Sequence, residues 1–251
     1  MTSHSSAKIE RHLIRLHVGK AVVPSVLLLP GGGGRGLPAA LLLHGYSSRK
    51  ERMADTLGRA LAARGVAALA IDLPLHGERD APLQRQSLLN PLALVRHWRL
   101  ALAECAAALD CLADHERYDP SRLAIVGYSL GAFVGVAAAA RDARVRAVVL
   151  AAAGDLPLGT PLERLIRRVA DPIKAMRKLA GRPLLMAHGR HDRTVLPRDA
   201  QRLFDAAGEP KEMRWWNAGH ILPAEAVENA AEWLARQLRA PVAARSSKSL
   251  A

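Results

Sequence analysis

Hydrophobic positions along this chain form short, nearly unbroken apolar runs that alternate with segments of helical spacing. Strands without polar alternation are buried on both faces, and the helices between them provide the crossovers that parallel strands require. The pattern therefore predicts an α/β fold with a doubly wound, mostly parallel sheet. The runs that carry the prediction are "AALLLHG", "VAALAID", "RLAIVG", "VRAVVLAAAG", "RPLLMAHG" and "EMRWWNAG".

Segments outside these runs add a hairpin and several helices. The stretch "IERHLIRLHVGKAVVPSVLLLP" predicts two strands joined around Gly19-Lys20. Gly208 is expected to end the helix that follows Pro197, because glycine is common just after a helix. Other predicted helices cover residues 50–64, 94–115 and 130–141.

Length and composition favour a single globular unit. With 251 residues, of which 50% are hydrophobic, the chain is long enough for one large, well-buried core. We expect one domain over residues 1–240, a short lid-like helical insert over 155–181, where prolines interrupt the helical pattern, and a flexible tail over 241–251.

The charge balance is strongly basic, with 36 Lys and Arg against 23 Asp and Glu. These charges are scattered along the chain, and aromatic residues make up only 4%, so no basic stripe or stacking platform for bases is visible. We therefore expect no nucleic-acid partner. The glycine run "GGGGRG" lacks the Gly-Lys-Ser/Thr ending of a phosphate-binding loop and predicts a surface loop.

Cysteines and apolar segments indicate the compartment. Cys105 and Cys111 lie on different sides of one predicted helix and are badly oriented to form a disulfide. The N-terminal residues contain no apolar segment of a signal peptide, and the apolar runs are too short to cross a bilayer. The sequence thus predicts a soluble, cytoplasmic protein without a membrane partner, and leaves open whether it is a monomer or a homodimer.

Candidate chemistry begins at "VGYSLGAF", which places Ser129 between Gly127 and Gly131. This is a G-x-S-x-G nucleophile elbow in the required context, with an apolar strand before it and a helix after it. A serine at so sharp a turn is held in a strained backbone conformation that projects its hydroxyl at the carboxyl edge of the sheet. The alternative is that small residues here only allow close strand–helix packing.

A serine nucleophile needs a histidine base and a carboxylate that orients the base. In chain order, "AHGRHDRTVLP" presents Asp192 after one apolar run, and "NAGHILP" presents His220 after the next. Loops after the carboxyl ends of strands converge on one edge of an open α/β sheet, so these residues can meet above Ser129. Asp155, which follows the strand after the elbow helix, is the rival carboxylate.

Two backbone N–H groups are expected to form an oxyanion hole. Leu130 follows the nucleophile, and Tyr46 follows the turn "HG" that leaves a buried strand. His44 itself is interpreted as a structural turn residue. His188 and His191 with Asp192 match no common zinc spacing, so we expect neither a metal nor a cofactor.

The chain resembles the α/β-hydrolase superfamily over roughly residues 20–240. The resemblance rests on four motifs in chain order: the His44-Gly45 turn, the elbow at Ser129, the Asp192 loop and the His220 loop. The stretches "HGYSSRKE" and "AIDLPLHGER" are similar to small bacterial esterases close to dienelactone hydrolases and to the catalytic domains of prolyl-oligopeptidase-type enzymes. The resemblance implies a sheet of about eight strands and carboxylester hydrolysis without a cofactor. Dienelactone hydrolases carry cysteine at the elbow, where this chain has Ser129.

The predicted function is a serine carboxylesterase that acts on small-molecule esters of small or medium acyl groups, with Ser129, Asp192 and His220 as the triad. A thioesterase or small-amide hydrolase on the same triad is the alternative. A non-catalytic scaffold that binds a ligand or partner is the alternative of a different class. His76 and Glu78 are expected to organise a loop beside the pocket by hydrogen bonds.

Overall fold

Eight strands form one sheet in the computed structural model, which describes residues 9–32, 34–79, 90–157 and 161–239. Their order across the sheet is β1-β2-β4-β3-β5-β6-β7-β8. The strands are Glu10–Val18 (β1), Ala21–Leu29 (β2), Leu37–Leu43 (β3), Ala67–Ile71 (β4), Tyr118–Tyr128 (β5), Val145–Ala151 (β6), Leu184–Gly189 (β7) and Lys211–Trp216 (β8).

Most of the sheet is parallel, as the unbroken apolar runs predict. β1 and β2 form the expected antiparallel hairpin, and Gly19 at its turn has a φ of 57°, in the left-handed region that glycine adopts without strain. β2 also pairs antiparallel with β4, whereas every pairing from β4 through β8 is parallel. The carboxyl ends of β3 to β8 therefore lie at one edge, where the loops that carry the candidate residues begin.

Helices connect the parallel strands and cover both faces of the sheet. The first one continues from an α-helical turn through a π-helical segment into a second α-helical turn. The helical segments are Lys50–Met53, Ala54–Gly58 (π-helical), Arg59–Ala62, Gly77–Arg79 (a 3₁₀ turn), Pro91–Ala113, Leu130–Ala139, Pro161–Val169, Pro172–Arg177, Pro197–Asp205 and Ala224–Arg239.

Two helix ends differ from the sequence prediction. The helix expected to begin at residue 94 begins at Pro91, because the Asn90 side chain accepts a hydrogen bond from the Leu92 N–H and caps it. The helix after Leu196 ends at Asp205 with Ala206 as its C-cap, so Gly208 does not end it. A Cβ atom at Gly208 would lie 2.7 Å from the Cβ of Ala180, so a close approach of two loops explains this glycine.

Alternate residues of the central strands feed two separate hydrophobic clusters. In β3, Leu41 and Leu43 belong to the cluster on one face, together with Cys105 and Met176. Leu42 belongs to the cluster on the other face, which includes Trp233 and Leu234 of the last helix. Burial on both faces accounts for strands without polar alternation.

Some sequence predictions fall on residues that the structure does not describe. The expected tail over 241–251 lies entirely outside the described residues, as do residues 158–160 of the expected insert and residues 80–89 after the 3₁₀ turn. Both cysteines are free thiols, with Cys105 buried. Among the described helices, none is long and apolar enough to cross a membrane.

Candidate active site

Ser129 occupies a sharp turn between the end of β5 and the helix Leu130–Ala139 (the elbow helix). Its φ of 51° and ψ of −112° are strained for a residue with a side chain. The turn requires both neighbouring glycines. A Cβ atom at Gly127 would lie 2.3 Å from the Gly131 carbonyl oxygen, and one at Gly131 would lie 2.2 Å from the Leu43 carbonyl oxygen.

The Ser129 hydroxyl does not cap the helix that follows it. Ser129 has the N-cap position, but its side chain makes no capping hydrogen bond. Instead, Ser129 Oγ lies 3.0 Å from Nε2 of His220. A turn that served only close strand–helix packing would not need this contact. A nucleophile and its base do require it.

His220 lies between the serine and a buried carboxylate. Its Nδ1 is 2.8 Å from Oδ2 of Asp192, whose side chain has no exposed surface. Because a carboxylate oxygen only accepts, Nδ1 carries the proton and Nε2 is left to accept a proton from the serine. The structure therefore brings together the three side chains that the sequence places on separate loops.

Backbone N–H groups stabilise the buried charge of Asp192. Its Oδ1 accepts hydrogen bonds from Thr194 N at 2.8 Å and from Val195 N at 3.0 Å. Charge-assisted bonds of this kind compensate a carboxylate for the loss of water. The other oxygen, Oδ2, is thereby directed toward His220.

Asp155, the rival carboxylate, is engaged elsewhere. Its Oδ2 accepts a hydrogen bond from Arg167 at 2.8 Å and one from Arg202 at 3.4 Å. Arg167 belongs to the helix Pro161–Val169 in the expected insert, so Asp155 connects the end of β6 to that insert. No hydrogen bond joins it to His220 among the contacts of the described residues.

The loop expected to supply an oxyanion donor lies directly beside Ser129. A Cβ atom at Gly45 would be 3.5 Å from the Cβ of Ser129, so the backbone at Gly45 lies within van der Waals reach of the serine. Tyr46 follows Gly45 at this point, and Leu130 is the first residue of the elbow helix, where backbone N–H groups have no intrahelical acceptor. The backbone of both predicted donor residues is thus next to Ser129.

A sequence model of the alpha/beta hydrolase family matches residues 26–240. The chain belongs to the alpha/beta hydrolase family. The resemblance inferred from its motifs is therefore confirmed, and the eight-stranded, mostly parallel sheet agrees with this fold.

One curated relative and two solved structures illustrate the range of similar proteins. The polyketide transferase ATR5 of Stachybotrys chlorohalonatus (strain IBT 40285) is 29% identical over 153 residues, which are 61% of this chain and 48% of that protein. The chain thus spans about half the length of this curated relative.

Two solved structures share the fold. A cold-adapted esterase from an Arctic intertidal metagenomic library has a TM-score of 0.71 at 23% identity, covering 95% of this chain and 100% of that one. An acetyl xylan esterase from Paenibacillus sp. R4 has a TM-score of 0.69 at 19% identity, covering 91% of this chain and 88% of that one.

In this alpha/beta hydrolase, His44 has the structural role expected from the sequence. Its Nδ1 lies 2.8 Å from the Gly45 carbonyl oxygen, and its Nε2 accepts a hydrogen bond from Leu73 N at 3.1 Å. Complete burial lowers the pKa of His44 to about 4. The neutral ring joins the end of β3 to the loop after β4.

A buried lysine, not anticipated from the sequence, holds the end of the loop that leads from Gly45 to Lys50 (the Gly45 loop). Lys50 Nζ lies 3.0 Å from Asp72, 2.6 Å from Glu78 and 2.7 Å from Glu51. These three carboxylates raise its pKa, although burial opposes that effect. The apolar run before Asp72 was the available signal for a buried cation. A carboxylate that follows a fully buried strand needs a partner for its charge.

Glu78 takes part in the loop hydrogen bonds, as expected, through Lys50 and through its own N–H to Asp72. His76 is nearly buried, with Nδ1 2.8 Å from the Pro74 carbonyl oxygen and its ring 5.2 Å from that of Tyr46. His76 therefore packs against the Gly45 loop through the ring of Tyr46.

Two further residues beside the triad were not singled out as site residues. Tyr128 donates a hydrogen bond to the His220 carbonyl oxygen and accepts one from Leu222 N at 3.1 Å. His188, wholly buried, contacts both Val195 and Asp192. In the part of the chain that the structure describes, no group of three or more His, Cys, Asp or Glu side chains could hold a metal ion.

Proposed function

We propose that this alpha/beta hydrolase is a serine esterase that cleaves carboxylic esters of small or medium acyl groups through an acyl-enzyme intermediate. The observation that carries the proposal is the continuous contact from Ser129 Oγ through His220 to Asp192, at 3.0 and 2.8 Å. An alcohol becomes a competent nucleophile at neutral pH when a base so placed removes its proton.

In the first half-reaction, Ser129 Oγ attacks the acyl carbon while His220 Nε2 takes the hydroxyl proton. The buried carboxylate of Asp192 stabilises the imidazolium that forms. Negative charge develops on the former carbonyl oxygen, where the N–H groups of Tyr46 and Leu130 are proposed to donate hydrogen bonds. Removing one such donor typically slows an enzyme of this type by roughly a hundred- to a thousandfold.

Collapse of the tetrahedral intermediate breaks the bond to the leaving alcohol, which takes the proton from His220 Nε2. In the second half-reaction, water attacks the acyl-enzyme while His220 accepts one of its protons. The bond to Ser129 Oγ then breaks, the serine recovers its proton, and the carboxylic acid leaves. Each step uses only the triad, the two N–H groups and water.

Membership of the family and the similarity to two esterases support hydrolysis of esters. Two apolar side chains next to the proposed machinery favour an apolar substrate. Tyr46, half-exposed, follows Gly45, and Ile221, largely exposed, follows His220. Exposed apolar side chains beside a reactive group can bind an apolar acyl or alcohol part.

Thioesters are a second candidate class, because the same triad can attack the acyl carbon of a thioester. We propose to compare butyrylcholine with butyrylthiocholine, and p-nitrophenyl butyrate with butyryl-p-nitroanilide, so that each pair differs only in the atom that joins the acyl group to the leaving group. An esterase is expected to have its highest kcat/KM on the oxygen ester. Higher kcat/KM on the thioester would assign the function to thioester cleavage on the same triad.

Replacement of Ser129 by Ala tests the proposal. The variant is expected to keep the wild-type Tm and to lose turnover of p-nitrophenyl butyrate by about a millionfold. A fluorophosphonate probe should label the wild type and not the variant, because only an activated serine reacts quickly. A wild type that is neither labelled nor active would favour a non-catalytic scaffold.

A further inference from the structure

A second histidine lies against the carboxylate that orients the proposed base. His188 is the penultimate residue of strand β7, and its side chain has no exposed surface. Its Nε2 is 2.9 Å from the Val195 carbonyl oxygen and 3.5 Å from Oδ2 of Asp192. That same oxygen is 2.8 Å from His220 Nδ1.

The contact with Val195 determines the tautomer of His188. A carbonyl oxygen only accepts, so the proton of the neutral ring is on Nε2. The positive end of this N–H bond therefore faces both the carbonyl and the Asp192 carboxylate. Asp192 Oδ2 thus lies between two imidazole rings.

The opposite nitrogen of His188 keeps the ring neutral. Nδ1 is buried and has no hydrogen-bond partner, so a second proton there would be placed without an acceptor. The groups that face the ring are Asp192 in the loop after β7, His220 in the loop after β8 and the uncharged ring of Trp215 at 5.5 Å. Burial lowers the pKa of His188 and outweighs the contacts with Val195 and Asp192, which act in the opposite direction.

We propose that His188 is a positioning residue for Asp192, and this inference rests on the proposed function. Its N–H closes the loop from Gly189 to Val195 and thereby fixes the two N–H groups that hold Asp192 Oδ1. It also reduces the negative charge that Oδ2 presents to His220. His188 therefore affects both the position of the Asp192 carboxylate and its electrostatic effect on His220, without contacting the substrate.

Two substitutions separate the N–H group from the shape of the ring. In His188→Gln, the amide nitrogen can donate from nearly the position of the imidazole Nε2. In His188→Met, a side chain of similar size fills the space without a donor. His191→Met is the matched control, because His191 lies on the same loop but contacts Asn217 at 2.8 Å instead of Asp192.

Kinetics on p-nitrophenyl butyrate should distinguish these variants. We expect His188→Met to lower kcat about tenfold or more with little change in KM, while His188→Gln stays within about threefold of the wild type. The acidic limb of the kcat/KM profile should move to higher pH in His188→Met, since a more negative carboxylate stabilises the His220 imidazolium. His191→Met should match the wild type throughout.

A titration by nuclear magnetic resonance gives a readout that needs no turnover. In protein with ¹⁵N-labelled histidine, the His220 signal, assigned by its loss in His220→Gln, should titrate at higher pH in His188→Met than in the wild type. An unchanged titration in a variant with wild-type Tm would overturn the proposal, as would equal losses in the Gln and Met variants. If the wild type hydrolyses no ester, the proposed function fails, but this titration still decides the role of His188.

Discussion

The hydroxyl of Tyr128 donates a hydrogen bond to the main-chain carbonyl of His220, so the residue before Ser129 holds the loop that carries His220. It also accepts a hydrogen bond from Leu222 N, which lies beyond His220 on the same loop. Tyr128, at the end of β5, therefore holds the chain on the C-terminal side of His220.

The substitution Tyr128→Phe should weaken this connection without removing any triad residue. The partly buried Leu222 N–H and His220 carbonyl each lose a partner, which we expect to lower the free energy of unfolding by about 1 kcal/mol. Turnover should fall by about tenfold, since a freer loop holds Nε2 less often at Ser129. Urea unfolding and kcat measure the two effects; an unchanged kcat would contradict a positioning role for Tyr128.

Asparagine at position 192 should disable the base while leaving the fold nearly intact. The neutral amide cannot stabilise the imidazolium, and its N–H group favours the wrong tautomer of His220, so kcat should fall by about ten thousandfold. Asp155→Asn is the matched control at the other candidate strand end, and it should retain most of the turnover. A reversed result would transfer the acid role to Asp155.

Lys50→Met should destabilise the protein strongly, because the carboxylate of Asp72 would stay buried without its cation. Breaking a buried ion pair by removal of one partner costs about 3–5 kcal/mol. The double variant Lys50→Met/Asp72→Asn should recover part of this loss, since both charges are then absent. Strictly additive losses in urea unfolding would show that the two side chains act independently.

Acid should destabilise the protein through His44. Its pKa of about 4 lies below the value of 6.5 for an exposed histidine, so the unfolded chain binds the proton more readily. The stabilisation is complete above pH 6.5 and is lost as the pH falls from there toward 4; it amounts to about 3 kcal/mol, at about 1.4 kcal/mol per pKa unit.

Urea unfolding between pH 7 and pH 4.5 measures this loss. His44→Gln, whose amide oxygen can accept the Leu73 N–H, should show a weaker dependence on pH than the wild type. An equal dependence in the two proteins would assign the acid sensitivity to other groups.

Local sequence patterns were sufficient to predict the elements of this fold. Apolar runs without alternation predicted strands buried on both faces, and the pentapeptide around Ser129 predicted the elbow between β5 and its helix. The candidate loops could be predicted as well, because parallel strands direct their carboxyl ends to one edge.

Partners of buried polar groups could not be predicted in the same way. Lys50 and Asp72 are 22 residues apart, and Tyr128 and His220 are 92 residues apart. Such pairs depend on the register and twist of the assembled sheet, which no local pattern encodes. The choice between Asp192 and Asp155 was open for the same reason, since it depends on where Arg167 and Arg202 lie.

The two arginines on Asp155 have a consequence for redesign of this enzyme. A protein engineer who wished to move the acid of the proposed triad from the loop after β7 to the loop after β6 would find a carboxylate already there. That carboxylate is committed to two guanidinium groups, one of which belongs to the helix Pro161–Val169. Relocation would therefore first require another attachment for that helix.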